Sequence, residues 1–387
     1  MKNLLKKTLR VWGVALLISG GAGVFAAEAG DLFSSLPEMR YASVQGAPFG
    51  GQTPPRRSGG TAEEIFFETA AQGTPLQMRE LLSSGMKVDE KDPLGNTALI
   101  LAAGENRDPE MIRVLLTAGA DINVRNKNEL NPIMAAAERN TNPEIVATLV
   151  KAGAGVDDKG TGGATPLFSS ILVNPNPAVI IELIHLSADV NMGNKDETTP
   201  LMVACFEYRG TEVLEALLKA GADVNAKNRS GIAALSIAAG TAQEAAAIEL
   251  LLKAGADLKA VNNQGQTALH YSLSTNQNPE IVKLLLDAGS DANARYGKGT
   301  TPLMLALRYQ KSQEMIKLLL DRGADVNAAD DDGRTPLMIA VQKDSGGEMI
   351  KLLRSAGADT LVKDKAGQTA LDMAKAAGKP EIVSLLE

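Results

Sequence analysis

Very few side chains in this sequence could do chemistry. Its 387 residues hold two histidines, His185 and His270, and one cysteine, Cys205. A thiol nucleophile needs a base within reach, and no histidine lies near Cys205 in sequence. With one cysteine there is no intramolecular disulfide and no cysteine-built metal site. Asp330-Asp331-Asp332-Gly333 has the carboxylate density of a calcium loop. The downstream bidentate Glu that such a loop requires is missing, so a solvated turn is expected. Gly160, Gly162 and Gly163 do not lie between a strand and a helix, as a phosphate cradle demands. His185 stands at an exposed helix-end position beside Leu186-Ser187. No catalytic constellation emerges. The sequence reads as non-enzymatic, with no cofactor and no metal.

The elements behind these residues repeat. Thr335-Pro336-Leu337 recurs in phase every 34 residues, backward through Thr301, Thr267, Ala233, Thr199, Thr165, Asn131 and Thr97 and forward to Thr369. Nine copies in one frame are the mark of a stacked array, and an array need not divide as an ordinary chain of this length would. Cys205 takes the phase held elsewhere by Ala103 and Ala239, so a packed thiol is expected. The hydrophobic content of 44% with 3% aromatics suits thin helical layers of Ala and Leu.

Each unit repeats the same local physics. Thr is a helix N-cap and Pro takes the first helical position, where its missing N–H costs nothing. A second amphipathic helix follows, with Asp108, Asn142, Asn176 and Asn278 as further caps before Pro. It ends on glycine at 119, 153, 221, 255, 289, 323 and 357, a residue that accepts the left-handed conformation. Ser187 holds that place in one unit and is expected to be strained. Ala233 has lost the Thr cap. Asn174-Pro175-Asn176-Pro177 reads as an irregular loop.

The pattern Gly-x-Thr-Pro-Leu, Ala-Ala, Glu-Ile-Val-x-Leu-Leu-Leu and Gly-Ala-Asp-Val-Asn resembles the ankyrin repeat, over about residues 62–387. The resemblance implies an all-α repeat solenoid of about ten helix-loop-helix units with hairpin or loop tips. The period departs from the usual 33, and the extra residue falls between the two helices. His usually follows Thr-Pro-Leu; only His270 does here, while Met134, Met202, Met304 and Met338 replace it. The resemblance implies that His270 is structural. Residues 62–94 look like an N-terminal capping repeat, degenerate and expected to lack Thr-Pro-Leu. Eight internal repeats span 95–366 and a C-terminal cap spans 367–387.

Residues 1–26 have the basic, apolar and small-residue layout of a secretory signal peptide. Residues 27–61 are rich in Pro and Gly and read as a flexible linker. Losing Lys2, Lys6, Lys7 and Arg10 with the signal takes the net charge from −7 to −11. Such acidity argues against nucleic acid as a partner, and membrane association is expected only if the signal segment is uncleaved. The expected location is periplasmic or secreted, and the expected partner another exported protein.

In ankyrin-like stacks partners contact the hairpin tips and the end of the first helix, along a concave face. Carried over residue by residue, those phases and their immediate neighbours, with Tyr296 just outside the tip phase, give two patches of apolar, aromatic and charged residues. One is Arg139, Leu172, Val173, Lys195, Phe206, Glu207 and Tyr208. The other is Tyr296, Lys298, Arg308 and Tyr309. The function this implies is a protein-binding scaffold. Two alternatives are a protective or inhibitory accessory of an exported enzyme, and a membrane-tethered spacer.

Overall fold

The computed structural model describes residues 60–207, 210–242 and 244–387. The expected signal segment, almost all of the linker and Tyr208 lie outside them. The described residues form two compact units, 60–222 and 223–387. Among them there are twenty α-helices and no strand beyond two isolated bridges, Lys227 with Ala233 and Tyr296 with Thr300.

The first unit holds five helix pairs: α1 (Ala62–Gln72) and α2 (Pro75–Ser83), α3 (Ala98–Glu105) and α4 (Pro109–Thr117), α5 (Pro132–Arg139) and α6 (Pro143–Lys151), α7 (Pro166–Val173) and α8 (Pro177–His185), α9 (Pro200–Glu207) and α10 (Thr211–Lys219). First helices pack on first helices and second on second along the unit. The second unit repeats this with α11 (Ala234–Thr241) and α12 (Ala246–Lys253), α13 (Ala268–Thr275) and α14 (Pro279–Asp287), α15 (Pro302–Arg308) and α16 (Gln313–Asp321), α17 (Pro336–Gln342) and α18 (Gly347–Ser355), α19 (Ala370–Ala376) and α20 (Pro380–Leu386). A helix of seven to eleven residues is marginal alone. Packing holds these: Leu99, Ile133, Leu167, Leu269, Leu303 and Leu337 are fully buried, with Ala102, Ala136, Ala204, Ala306 and Ala340 between neighbouring first helices.

The caps follow the sequence pattern closely. Asn131, Thr165, Thr301 and Thr335 accept from the N–H three residues on. Ala233 has no side chain to do so, and Thr97 keeps its hydroxyl buried and unbonded among the described residues. The first helix begins at Ala62, where Thr61 closes a capping box with Glu64. The expectation that this first repeat lacks Thr-Pro-Leu is corrected: Thr74-Pro75-Leu76 is present and opens the second helix rather than the first, with Gln77 completing the box. Ser187 takes φ 66°, the strained conformation its position required.

Asparagine ladders stitch four of the loops between helices to the preceding repeat. Asn140 ends α5 buried. Its Nδ2 donates to the carbonyls of Ala103 and Asn106, at 2.9 and 2.7 Å, and its Oδ1 accepts from Asn142 N–H. Asn106 makes the same bonds to Ala70 and Gly73, Asn174 to Ala137 and Asn140, and Asn276 to Ala239 and Ala242. The 174–177 loop is therefore regular, a correction to its irregular reading: Asn176 N–H reaches Asn174 Oδ1 at 2.9 Å, as Asp108 N–H reaches Asn106 at 3.0 Å.

Near the C-terminal end, lysine takes over. Lys311 Nζ donates to Asn276 O at 2.6 Å and Lys379 Nζ to Val341 O at 2.8 Å. Ser345, in the same phase between them, has its hydroxyl buried without a partner among the described residues. A second ladder runs through the arms. Asn225, Asn293 and Asn327 each donate from Nδ2 to the carbonyl of the next unit's stop glycine and accept from the Asp two residues after it.

Candidate protein-binding surface

Within each unit the ends of the first helices and the hairpins beside them carry the residues the frame leaves free. The hairpins are set by one recurring turn. Asn126, Asn194, Asn228, Asn262, Asp330 and Asp364 each accept at Oδ1 from the N–H groups two and four residues on. Tip-to-tip backbone bonds follow, such as Lys195 N–H to Gly162 O and Asp331 N–H to Lys298 O. Asp330 is buried and holds Arg334 at 2.9 Å. The aspartate run is thus a hairpin turn, and no group of metal ligands occurs among the described residues.

In the first unit, Arg139, Val173 and Glu207 end three successive first helices, α5, α7 and α9. Arg139 is exposed. Leu172, Val173, Phe206 and Glu207 are half-buried, so the apolar part of this patch shows edges of its side chains. Lys195 is an exposed tip residue beside Gly163, where an added Cβ would come within 3.3 Å of its side chain. Beside Arg139, Glu138 is raised above the usual carboxylate range. Burial drives the shift, against the opposing pull of Arg139 and a bond from Ser169.

In the second unit the aromatic patch is built on His270. A carbonyl can only accept, so Nε2 donates to Ala294 O at 3.1 Å. Nδ1 is then the acceptor for Thr267, whose N–H lies at 3.1 Å and hydroxyl at 2.8 Å. The ring is fully buried, and burial lowers its pKa to about 4. Tyr296 packs its ring against it edge-on, 4.7 Å between centroids. The phenol of Tyr296 is raised first by burial, then by Tyr309, with Arg308 and a bond to Gln266 opposing. Tyr296, Arg308 and Tyr309 thus form one coupled cluster, with Lys298 exposed on the same hairpin. The link from His270 to Tyr296 was hidden in the sequence, where the two are 26 residues apart.

A family model of ankyrin repeats, three copies long, matches residues 66–160, 133–228, 201–296, 235–330 and 274–364. The chain belongs to the ankyrin repeat family. None of the curated proteins matches it. The ankyrin frame accounts for the other candidates for chemistry. Cys205 is fully buried with its thiol pushed up to about 12 by burial, the opposite of a reactive cysteine. His185 is exposed at the last position of α8, with Nδ1 3.9 Å from Glu182. Met134, Met202, Met304 and Met338 are buried where ankyrin repeats carry the histidine. In the last repeat Asp372 takes that place and accepts from Thr369 N–H and hydroxyl.

Proposed function

We propose that this ankyrin repeat protein is a non-enzymatic scaffold that acts outside the cytoplasm and holds another exported protein on its concave face. Ankyrin repeats mediate binding to other proteins, and the family is generally non-enzymatic. The observation that carries the reading is the Tyr296, Arg308 and Tyr309 cluster. Two tyrosines and an arginine share a surface that the repeat frame does not need, and these are residue types that dominate binding energy. Phe206, Leu172 and Val173 beside Arg139 and Lys195 offer a second contact area in the other unit. The cysteine and the histidine are packed into the repeat frame, the thiol pushed up and the imidazole pushed down by burial.

The test is an affinity capture from the exported fraction, comparing wild type with Phe206→Ala and Tyr309→Ala. Partner recovery is expected to fall in both variants. Equal recovery from all three proteins overturns the face assignment, and a hydrolytic or redox activity in the purified chain overturns the non-enzymatic reading.

A further inference from the structure

The hairpin and first-helix segments differ in charge between the two units. In the first unit, residues 89–105, 121–139, 155–173 and 189–207 carry thirteen acidic side chains and six basic ones. In the second, residues 223–241, 257–275 and 291–309 carry three acidic and six basic. The three acids are Asp223, Asp257 and Asp291. Each turns its carboxylate onto its own arm, accepting from the N–H of Asn225, Lys259 and Asn293. The six bases are Lys227, Arg229, Lys259, Arg295, Lys298 and Arg308, all exposed except the half-buried Arg308. The stretch is local, because the next segment begins with Asp325 and Asp330 to Asp332.

These residues lie along one packed series. Asn263 N–H bonds to Ser230 O, and Asn263 Nδ2 reaches Arg229 O at 2.9 Å. Lys227 Nζ lies along the next hairpin on Val261 O. An added Cβ at Gly265 would stand 3.6 Å from Tyr296 Cβ, so that tip adjoins the tyrosine, and Arg295 reaches on to Ala329 O. A run of cations thus leads to the Tyr296, Arg308 and Tyr309 cluster, on a chain whose net charge is −7.

We infer that the hairpin and first-helix surface of residues 223–309 binds an acidic polypeptide segment, one rich in Asp and Glu. This rests on the scaffold reading above and gives the partner its chemistry. Carboxylates complement the cations, and arginine and tyrosine N–H and O–H groups can donate to them. Charge complementarity of this kind sets partner choice and encounter rate. A polypeptide is favoured over nucleic acid because the acidic remainder of the chain repels a polyphosphate beyond the local patch.

The experiment uses the full chain and three fluorescein-labelled probes: poly-glutamate, poly-lysine of matched length, and single-stranded oligo-thymidine. Fluorescence anisotropy is followed across a salt titration. Poly-glutamate is expected to bind at low salt and weaken as salt rises. Combining Arg229→Gln, Lys298→Gln and Arg308→Gln is expected to weaken it about ten-fold, with an unchanged melting temperature. Lys219→Gln, on α10 in the other unit, leaves the affinity as it was. Absence of poly-glutamate binding, equal loss in the Lys219 variant, or oligo-thymidine binding as tight as poly-glutamate each overturns the inference. Should poly-glutamate fail while capture of an exported partner still depends on Tyr309, the acidic partner is wrong and the scaffold reading stands.

Discussion

At the scale of single residues, His270 shows how one side chain can tie a repeat and record pH. Its ring is neutral in the fold, held between Thr267 and Ala294. The folded pKa of about 4 lies below the ordinary histidine value of 6.5. Below pH 6.5 the unfolded chain binds a proton that the fold refuses. The contribution of His270 is therefore fully present above pH 6.5, falls as pH drops toward 4, and amounts to about 3 kcal/mol across that window. Urea unfolding of wild type and His270→Met from pH 7 to pH 4 measures it. The wild type is expected to lose about 3 kcal/mol more than the variant over the range, and parallel curves would show that His270 does not titrate this way. The substitution has precedent in the chain, since Met134, Met202, Met304 and Met338 are buried in the same phase. The structural role of His270 was legible because it stands three residues after Thr267 in a periodic frame. Its contact with Tyr296 was not, because it is set by how the hairpin after α14 folds back onto α13.

At the scale of elements, the ladders show how the loops between helices are held. An asparagine in a loop is read locally as turn or cap chemistry, and its sequence neighbours give no sign that both its donor hydrogens go to another repeat. The signal was the spacing of Asn106, Asn140 and Asn174 themselves. Each asparagine supplies two donors and one acceptor that the buried loop needs. Asn140→Ala would orphan the carbonyls of Ala103 and Asn106 and the N–H of Asn142. A loss of about 2 to 3 kcal/mol is expected on that count, read by denaturant unfolding, with amide exchange quickening first at Asn142. The converse applies where the ladder lapses. Ser345→Lys would place an ammonium in the phase of Lys311 and Lys379, each bonded to a carbonyl of the preceding unit, and would remove a buried unpaired hydroxyl. We expect it to raise stability by about 1 kcal/mol, and a lowered denaturation midpoint would show that the ladder cannot be extended through this loop.

At the scale of the molecule, repetition makes the fold easy to read and the site hard. Every position that recurs belongs to the frame, so specificity is confined to positions without a pattern, such as Arg308 and Tyr309. The same separation bears on where the chain works. Its one cysteine lies inside the array at 0% exposure with a thiol pushed up to about 12, which shields it from oxidation and disfavours the thiolate. None of the described helices is long and apolar enough to cross a membrane. Cleavage of the expected export signal after Ala26 would release a chain beginning at Ala27 without Lys2, Lys6, Lys7 and Arg10. The expected outcome is an intact mass matching residues 27–387 and a net charge of −11 on the exported protein, from −7 for the full sequence. Mass spectrometry of the exported and membrane fractions reads this directly. Recovery of the full 387-residue mass in the membrane fraction alone would replace export with tethering, and the scaffold would then present its surface from a fixed membrane anchor.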